Sequence, residues 1–277
     1  MEFFRVAGLR SSMYKTKIGI IGAGVVGGAI INAIKDLNQV ELRIYDIDPE
    51  KSTHPLQDLF LCDGIFVCTP TPQSEDGTCD VSALVNTLES LEGYRGVIIS
   101  KSTAPIDVYQ TLNEKYMNLV HAPEFLTEAN ATLDFMNGQF AFIGGNTKAF
   151  IKEAERIIRI TQHDLRQIIH CKIGDAALAK YIINTFLAVK VSYMNEMFIL
   201  AQKMQCNYET VSAMVKCDTR IGSSHMEVPG PDGVFGFGGM CFPKDTSALL
   251  KFAETLGIKL NVLEGAVRTN KSVRADV

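Results

Sequence analysis

The sequence lacks the devices on which small or specialised proteins depend. Its seven cysteines, Cys62, Cys68, Cys79, Cys171, Cys206, Cys217 and Cys241, are scattered, odd in number and form no Cys-x-x-Cys pair. Neither a disulfide framework nor a zinc or other metal site is expected, and a reducing, cytoplasmic setting fits best. No basic run occurs, and 27 Lys and Arg against 31 Asp and Glu leave a net charge of −4; this speaks against a nucleic-acid partner. No apolar run is long enough to span a bilayer, so no membrane is expected. Internal repeats and low-complexity stretches are missing too. The leader Met1–Ser12 has two arginines but neither the hydrophobic stretch nor the cleavage pattern of a signal peptide. Because MYKTKIGIIGAG reads as a natural start, the leader is set aside as upstream sequence. What remains is ample for one large or two ordinary domains without staples.

What is present alternates. Lys17–Ile21, Val40–Tyr45, Ile65–Cys68 and Val97–Ser100 are short β-branched or apolar runs, and Asn118–His121 and Phe140–Gly144 are further short strands. Helical spacing follows the first strand and recurs at Val81–Leu91, Ile106–Lys115 and Thr147–Ile160. Strands alternating with helices predict a parallel sheet covered on both faces. The texture changes near Cys171. Gly174–Gln205 is one long helix without proline or internal glycine, Asn207 caps a helix through Lys216, Cys217–Pro243 is a long Gly/Pro loop, and helices follow at Lys244–Leu256 and from Leu260. The expected fold class is α/β: a Rossmann-like doubly wound parallel sheet over 13–172, then an all-helical domain over 173–277 built on one long helix.

Two stretches carry chemistry. Gly22-Ala-Gly24-Val25-Val26-Gly27 is GxGxxG between a predicted strand and a predicted helix. The first glycine makes the turn, the second admits a pyrophosphate to the backbone, and the third packs helix on strand. Asp46, ending the next strand, suits a ribose and favours NAD over NADP; Asp48 is the second choice. Without that context the motif is only a glycine-rich turn. The other stretch is GFGGMCFPKD, Gly236–Asp245. A lone cysteine is most often an inert small hydrophobe. Behind Gly236, Gly238 and Gly239, and with Asp245 one helical turn on, Cys241 is a candidate nucleophile that traps an aldehyde so that a second hydride can leave.

These residues carry a resemblance. GFGGMCFPKD, with CTPTP at Cys68–Pro72, DGTCD at Asp76–Asp80, STAP at Ser102–Pro105, APEFLTEA at Ala122–Ala129, AKYIINTFLAVKVSYMNE at Ala179–Glu196 and DTRIG at Asp218–Gly222, resembles the UDP-glucose dehydrogenase family, broadly the nucleotide-sugar dehydrogenases. The resemblance implies two-step, four-electron oxidation of the primary alcohol of a nucleotide sugar by NAD, UDP-glucose to UDP-glucuronate being the leading case. It implies Cys241 as nucleophile and Lys180 and Asn184 as an i, i+4 pair that donates to an oxyanion. Asp245 would position, with Lys180, the water that takes the alcohol proton. Thr103 would hold that water and Glu124 would activate water for thioester hydrolysis. Cofactor contacts would include Val25, Val26, Thr69, Pro70, Thr103, Glu128 and Lys244 beside the turn glycines and Asp46. Substrate contacts would come from Glu124, Phe125, Leu126, Lys180, Asn184, Phe237 and Gly238. Arg220 would reach a neighbouring subunit's substrate, and His225 stands where relatives place an aromatic.

Each residue has a plainer alternative. Lys180 can be a snorkelling lysine, Asn184 a buried polar contact, Thr103 a turn residue, Glu124 and Glu128 a solvated acidic face, and His225 a loop residue. The sequence also departs from the family pattern. The segment between Asp46 and Cys68 is short, the usual Pro and Arg are missing around Asn137–Phe140, and a third, UDP-binding domain is expected to be absent. A two-electron β-hydroxyacid dehydrogenase and a non-catalytic cofactor-binding relative are therefore the other readings. The long helix is apolar on more than one face, through Ile182, Phe186, Val189, Tyr193, Met197 and Leu200. That predicts a homodimer.

Overall fold

A computed structural model describes residues 15–162 and 164–274, apart from the side chain of Glu128; the leader lies outside the described residues. The chain divides into two compact units. One holds the residues up to Thr71 with Ser82–Ala177, the other Pro72–Val81 with Leu178 onward.

The first unit is a seven-stranded sheet: β1 (Thr16–Ile21), β2 (Val40–Tyr45), β3 (Gly64–Val67), β4 (Val97–Ser100), β5 (Leu119–His121), β6 (Phe140–Gly144) and β7 (Gln167–Cys171). Their order is β2-β1-β3-β4-β5-β6-β7. Every pairing is parallel except β5 with β6, which are antiparallel and meet at His121 and Gly144. Helices α1 (Val25–Ile34), α2 (Ser82–Ser90), α3 (Ile106–Lys115), α4 (Ala131–Met136) and α5 (Lys148–Thr161) complete it. Ile18 and Ile20 of β1 are fully buried in one cluster with Ile30, Ile34, Phe66, Ile99 and Ile157. Each such side chain contributes about 1.5–3 kcal/mol relative to exposure. The opposite face at Gly19 is covered by Leu59, Cys62 and Ile65. Burial on both faces is why these strands read as continuous apolar runs. The short stretch between β2 and β3 holds two 3₁₀ turns, Pro49–Lys51 and Leu56–Leu61, in place of a full helix. Leu59 of the second turn does the covering.

Strand β7 has no counterpart among the expected elements. Its five residues, QIIHC, are half-buried or exposed, so neither alternation nor an apolar run marks them. Pairing with β6 makes them a strand.

The second unit is built on α6 (Ile173–Lys203) from Leu178 onward, α7 (Tyr208–Lys216), α8 (Phe242–Thr255) and α9 (Asn261–Val273). Helix α6 has 31 residues, a length of about 46 Å at the standard rise. Asn207 caps α7 as its sequence predicts, its side chain accepting the Thr210 N–H at 2.8 Å. Ser192 of α6 donates to the Ala266 carbonyl of α9 at 2.9 Å, and Met194, Ala201, Tyr208 and Met226 form the local core. Pro72–Val81, from the connection between β3 and α2, folds with this unit. Among the described residues no helix is long and apolar enough to cross a membrane.

Candidate active site

In the first unit the strand order reverses at β1, with β2 on one side and β3 on the other. In open α/β sheets ligands bind outside the carboxyl ends of the strands at such a point. The glycine turn lies there. Gly22 has φ +90°, and a Cβ on it would stand 2.7 Å from the Cys68 carbonyl oxygen. A Cβ on Gly27 would overlap the Gly22 carbonyl oxygen. Both glycines are therefore demanded by the fold's own backbone. Gly24 is different, because a Cβ there would meet nothing within 4 Å. It is the N-cap of α1, a helix start with no side-chain cap and no acidic residue in its first turn. Its backbone N–H groups and dipole suit an anion.

Asp46 faces this turn. Its Oδ2 accepts the Ala23 N–H at 2.6 Å and its Oδ1 accepts the Asp48 N–H at 2.9 Å. Burial pushes its pKa up, but those N–H groups and the charge of Lys51 outweigh burial and hold it below the usual aspartate range. Asp48 is committed elsewhere: it caps Pro49–Lys51 by accepting from the Glu50 N–H at 3.1 Å, and it stands 3.5 Å from Lys51. An open glycine, an uncapped helix start and an ionised carboxylate beside the turn fit a dinucleotide. Val25 is half exposed on the turn, and Val26 packs on the core.

The ends of β3 and β4 are stitched together at the same edge. Ser102 Oγ donates to the Thr69 carbonyl at 2.7 Å, and Thr71 Oγ1 donates to the Thr103 carbonyl at 2.6 Å. Thr69, Pro70 and Thr103 are brought to one rim by these bonds. After β5, Glu124 Oε2 accepts the Leu126 N–H at 2.6 Å. Phe125 packs its ring 5.1 Å from Phe140 and 5.5 Å from Phe142, and Leu126 packs on the core. Glu128 opens the 3₁₀ turn Glu128–Asn130, and its side chain lies outside the described residues.

The second unit gathers the other predicted residues. Lys180 and Asn184 share one face of α6 and are almost completely buried, as is Asp245 of α8. Asn184 Nδ2 donates to Asp245 Oδ2 at 2.6 Å, and Lys244 Nζ pairs with Asp245 Oδ1 at 2.6 Å. Each carboxylate oxygen thus has its own donor, as a buried charge requires. Lys244, expected at the cofactor, is in this structure the ion-pair partner of Asp245. Cys241 is exposed at the N-cap of α8, and its carbonyl accepts the Asp245 N–H at 2.8 Å. The sulfur thus stands at the positive end of a helix, where negative charge is stabilised.

The glycine loop ahead of Cys241 is held by residues that the sequence did not single out. Gly236 N–H donates to Asn195 Oδ1 at 3.0 Å. Asn270 clamps Phe237 from both sides, accepting its N–H at 2.7 Å and donating to its carbonyl at 2.9 Å. Arg274 is paired with Asp232 at 2.8 Å and lies so close to Gly238 that a Cβ there would overlap its guanidinium. The clue to Asn270 is its place on the buried stripe Leu263, Ala266, Asn270, where an apolar residue is expected. Phe237, Gly238, Asn270, Arg274 and Gln73 line a groove of about 540 Å³.

Arg220 and His225 occupy the long loop. Arg220 is exposed and forks onto the carboxylate of Asp218, with Nε 2.9 Å from Oδ1 and Nη2 2.6 Å from Oδ2. Lys190 Nζ pins the loop by donating to the carbonyls of Ile221 and Gly222 at 3.2 and 2.9 Å. His225 adopts φ +60°. Its ring lies 5.6 Å from that of Phe242, and its buried Nδ1 has no hydrogen-bond partner among the described residues. Burial, then Lys190, lowers its pKa against the opposing charge of Glu227.

Comparison with known proteins bears on this arrangement. Two family models match: the UDP-glucose/GDP-mannose dehydrogenase family NAD binding domain over residues 51–162, and the central domain of the same family over residues 174–272. UDP-glucose 6-dehydrogenase TuaD of Bacillus subtilis is 33% identical over 228 residues, 78% of this chain and 48% of its own length. UDP-glucose 6-dehydrogenase of Rickettsia felis is 32% identical over 222 residues, 76% of this chain and 48% of its own. The chain thus spans about half the length of the curated relatives it matches. A UDP-glucose dehydrogenase structure from Pyrobaculum islandicum aligns with TM-score 0.80 at 22% identity, covering 95% of this chain and 70% of that one. A 3-hydroxyisobutyrate dehydrogenase from Mycobacterium tuberculosis aligns with TM-score 0.72 at 18% identity, covering 95% and 94%. At such identities the two structures speak to fold alone.

Proposed function

The chain belongs to the UDP-glucose/GDP-mannose dehydrogenase family, and from that premise we propose that it oxidises the primary alcohol of a nucleotide sugar, UDP-glucose first among them, to the uronate. NAD is the cofactor that goes with the matched N-terminal domain. The observation that carries the reading is the buried Asn184–Asp245 hydrogen bond, with Lys180 on the same helix face and Cys241 at the start of the helix that bears Asp245. Burying a lysine, an amide and a carboxylate together is costly for a fold alone, and the helix that bears the carboxylate also carries the exposed Cys241 at its N-cap.

NAD, when bound, takes up the hydride lost at each of two oxidations. The residues of the chain do the remaining work. Asp245, with Lys180, orients the water that receives the alcohol proton. Cys241 sulfur adds to the resulting aldehyde carbon, and the carbonyl oxygen gains the negative charge that Lys180 and Asn184 are assigned to stabilise. Loss of the second hydride leaves a thioester. Water attacks it, the carbon–sulfur bond breaks, and the uronate departs as the thiolate returns. On their motifs, Thr103 is assigned to holding water and Glu124 to activating it for hydrolysis. Phe125, Leu126, Phe237, Gly238, Arg220 and His225 are assigned to the substrate.

A two-electron β-hydroxyacid dehydrogenase is the second reading, resting on the dinucleotide turn and on the Lys180 and Asn184 pair of one buried helix face. We also propose that 13–172 and 173–277 act as cofactor and helical domains in the cytoplasm, and that α6 mediates a homodimer. Ile182, Phe186, Tyr193 and Leu200 are at least half exposed along it, a stripe that a second copy would cover. The test is a turnover panel of UDP-glucose, UDP-N-acetylmannosamine and GDP-mannose with NAD. Fastest NADH formation from UDP-glucose is expected, and none from any member would defeat the proposal.

A further inference from the structure

The connection between β3 and α2 is built as a strap on the second unit. Gln73 and Cys79 bridge antiparallel. Ser74 N–H donates to the Thr78 carbonyl at 2.8 Å, Gly77 N–H to that of Ser74 at 2.9 Å, and Asp80 N–H to that of Pro72 at 2.8 Å. Asp76 secures the turn by accepting from the N–H and hydroxyl of Thr78 at 3.0 and 2.6 Å. This shaped hairpin grips α8 at Ser247, whose Oγ donates to the Gly77 carbonyl at 2.8 Å and accepts from Gln73 Nε2 at 3.2 Å. The approach needs glycine, since Gly77 has φ +86° and a Cβ on it would stand 2.6 Å from that oxygen.

The position of Ser247 on the helix gives the contact its meaning. At 3.6 residues per turn, Ser247 lies about 200° around the axis from Asp245. Helix α8 is therefore held from two sides: Asn184 of α6 holds Asp245, and the strap holds Ser247. Cys241 and Asp245, four residues apart, share a face, so any rotation of α8 carries both. We infer that Ser247, gripped by Gly77 and Gln73, is a positioning residue that fixes the rotation of α8 and so the placement of the Cys241 thiol and the Asp245 carboxylate. At a helix radius of about 5–6 Å, a turn of only 10° moves such groups by about 1 Å. A displacement of that size can cost about 100-fold in rate.

The inference rests on the proposed chemistry for its catalytic arm but not for its geometric one. The test uses the full chain with S247A, S247T and Q73L, following alkylation of the Cys241 peptide by mass spectrometry across a pH series, with melting temperature and NADH kinetics alongside. S247A and Q73L are expected to change the Cys241 alkylation rate by about threefold or more and to lower kcat about tenfold while KM for NAD stays put; S247T, which keeps the hydroxyl, restores both. Q73L supplies the same readout should S247A fail to fold. A Cys241 alkylation profile in Q73L and in folded S247A that matches the parent chain, whatever happens to the melting temperature, would overturn the inference. If the parent chain makes no NADH, the proposed function fails, and the alkylation arm still decides the strap.

Discussion

The two glycine-rich turns keep their shape by opposite means. At Gly22–Gly27 the crowding groups are the backbone oxygens of Cys68 and of Gly22 itself, so the turn is enforced by the strand–turn–helix unit that contains it and by the next parallel strand. At Gly236–Gly239 the crowding groups are the side chains of Asn270 and Arg274, far along the chain, with Asn195 holding Gly236 from α6. One turn is a local motif that a ligand can use. The other is a loop whose form depends on side chains supplied by two helices, α6 and α9. A motif of the first kind can be recognised from spacing alone, whereas the second becomes intelligible only when its supporting side chains are known.

Four substitutions probe that contrast. The largest effect is expected from G27A, because backbone oxygen cannot yield as a side chain can: a loss of about 3 kcal/mol in the first unit, read from a denaturant midpoint. Next is G236A. Its φ of +73° and its overlap with Asn270 predict a loss of about 2 kcal/mol. Pairing it with N270A should recover part of that loss, and full additivity of the two would deny that Asn270 is what the glycine makes room for. G24A should leave stability nearly unchanged yet weaken NAD binding about tenfold or more, measured by calorimetry; unaltered binding would mean that the open position is not the pyrophosphate seat.

The smallest effect concerns Asp46. Its folded pKa is depressed, so its contribution is fully present above the unfolded aspartate pKa of about 3.9 and is lost as pH falls through the folded value. D46N should flatten that acid limb of the stability curve without shifting stability above pH 5 by more than about 1 kcal/mol.

The same contrast explains what was readable beforehand. The GxGxxG turn, the Asp46 strand end, the Asn207 cap and the long α6 helix are written in neighbouring residues, so pattern and local chemistry reveal them. Lys180, Asn184 and Cys241 were visible as candidate types, but the direct bond from Asn184 to Asp245 joins residues 61 apart in sequence and needs the fold. Strand β7 is too exposed to announce itself: it is longer than β3, β4 or β5, but they are wholly buried and it is not. Nor does composition reveal that Pro72–Val81 leaves the sheet unit, since its partner Ser247 is 170 residues from Gly77. Asn195 and Asn270 sit where an amphipathic pattern expects apolar side chains, a sign of buried polar purpose that does not name the partner.

In the proposed reaction Cys241 carries a second oxidation after the first. The measurement that tests it most directly is the ratio of NADH to uronate formed from UDP-glucose by the parent chain, with C241S beside it. Two NADH per uronate are expected from the parent chain, and no uronate from C241S. One NADH per substrate consumed, unchanged in C241S, would contradict the proposed reaction.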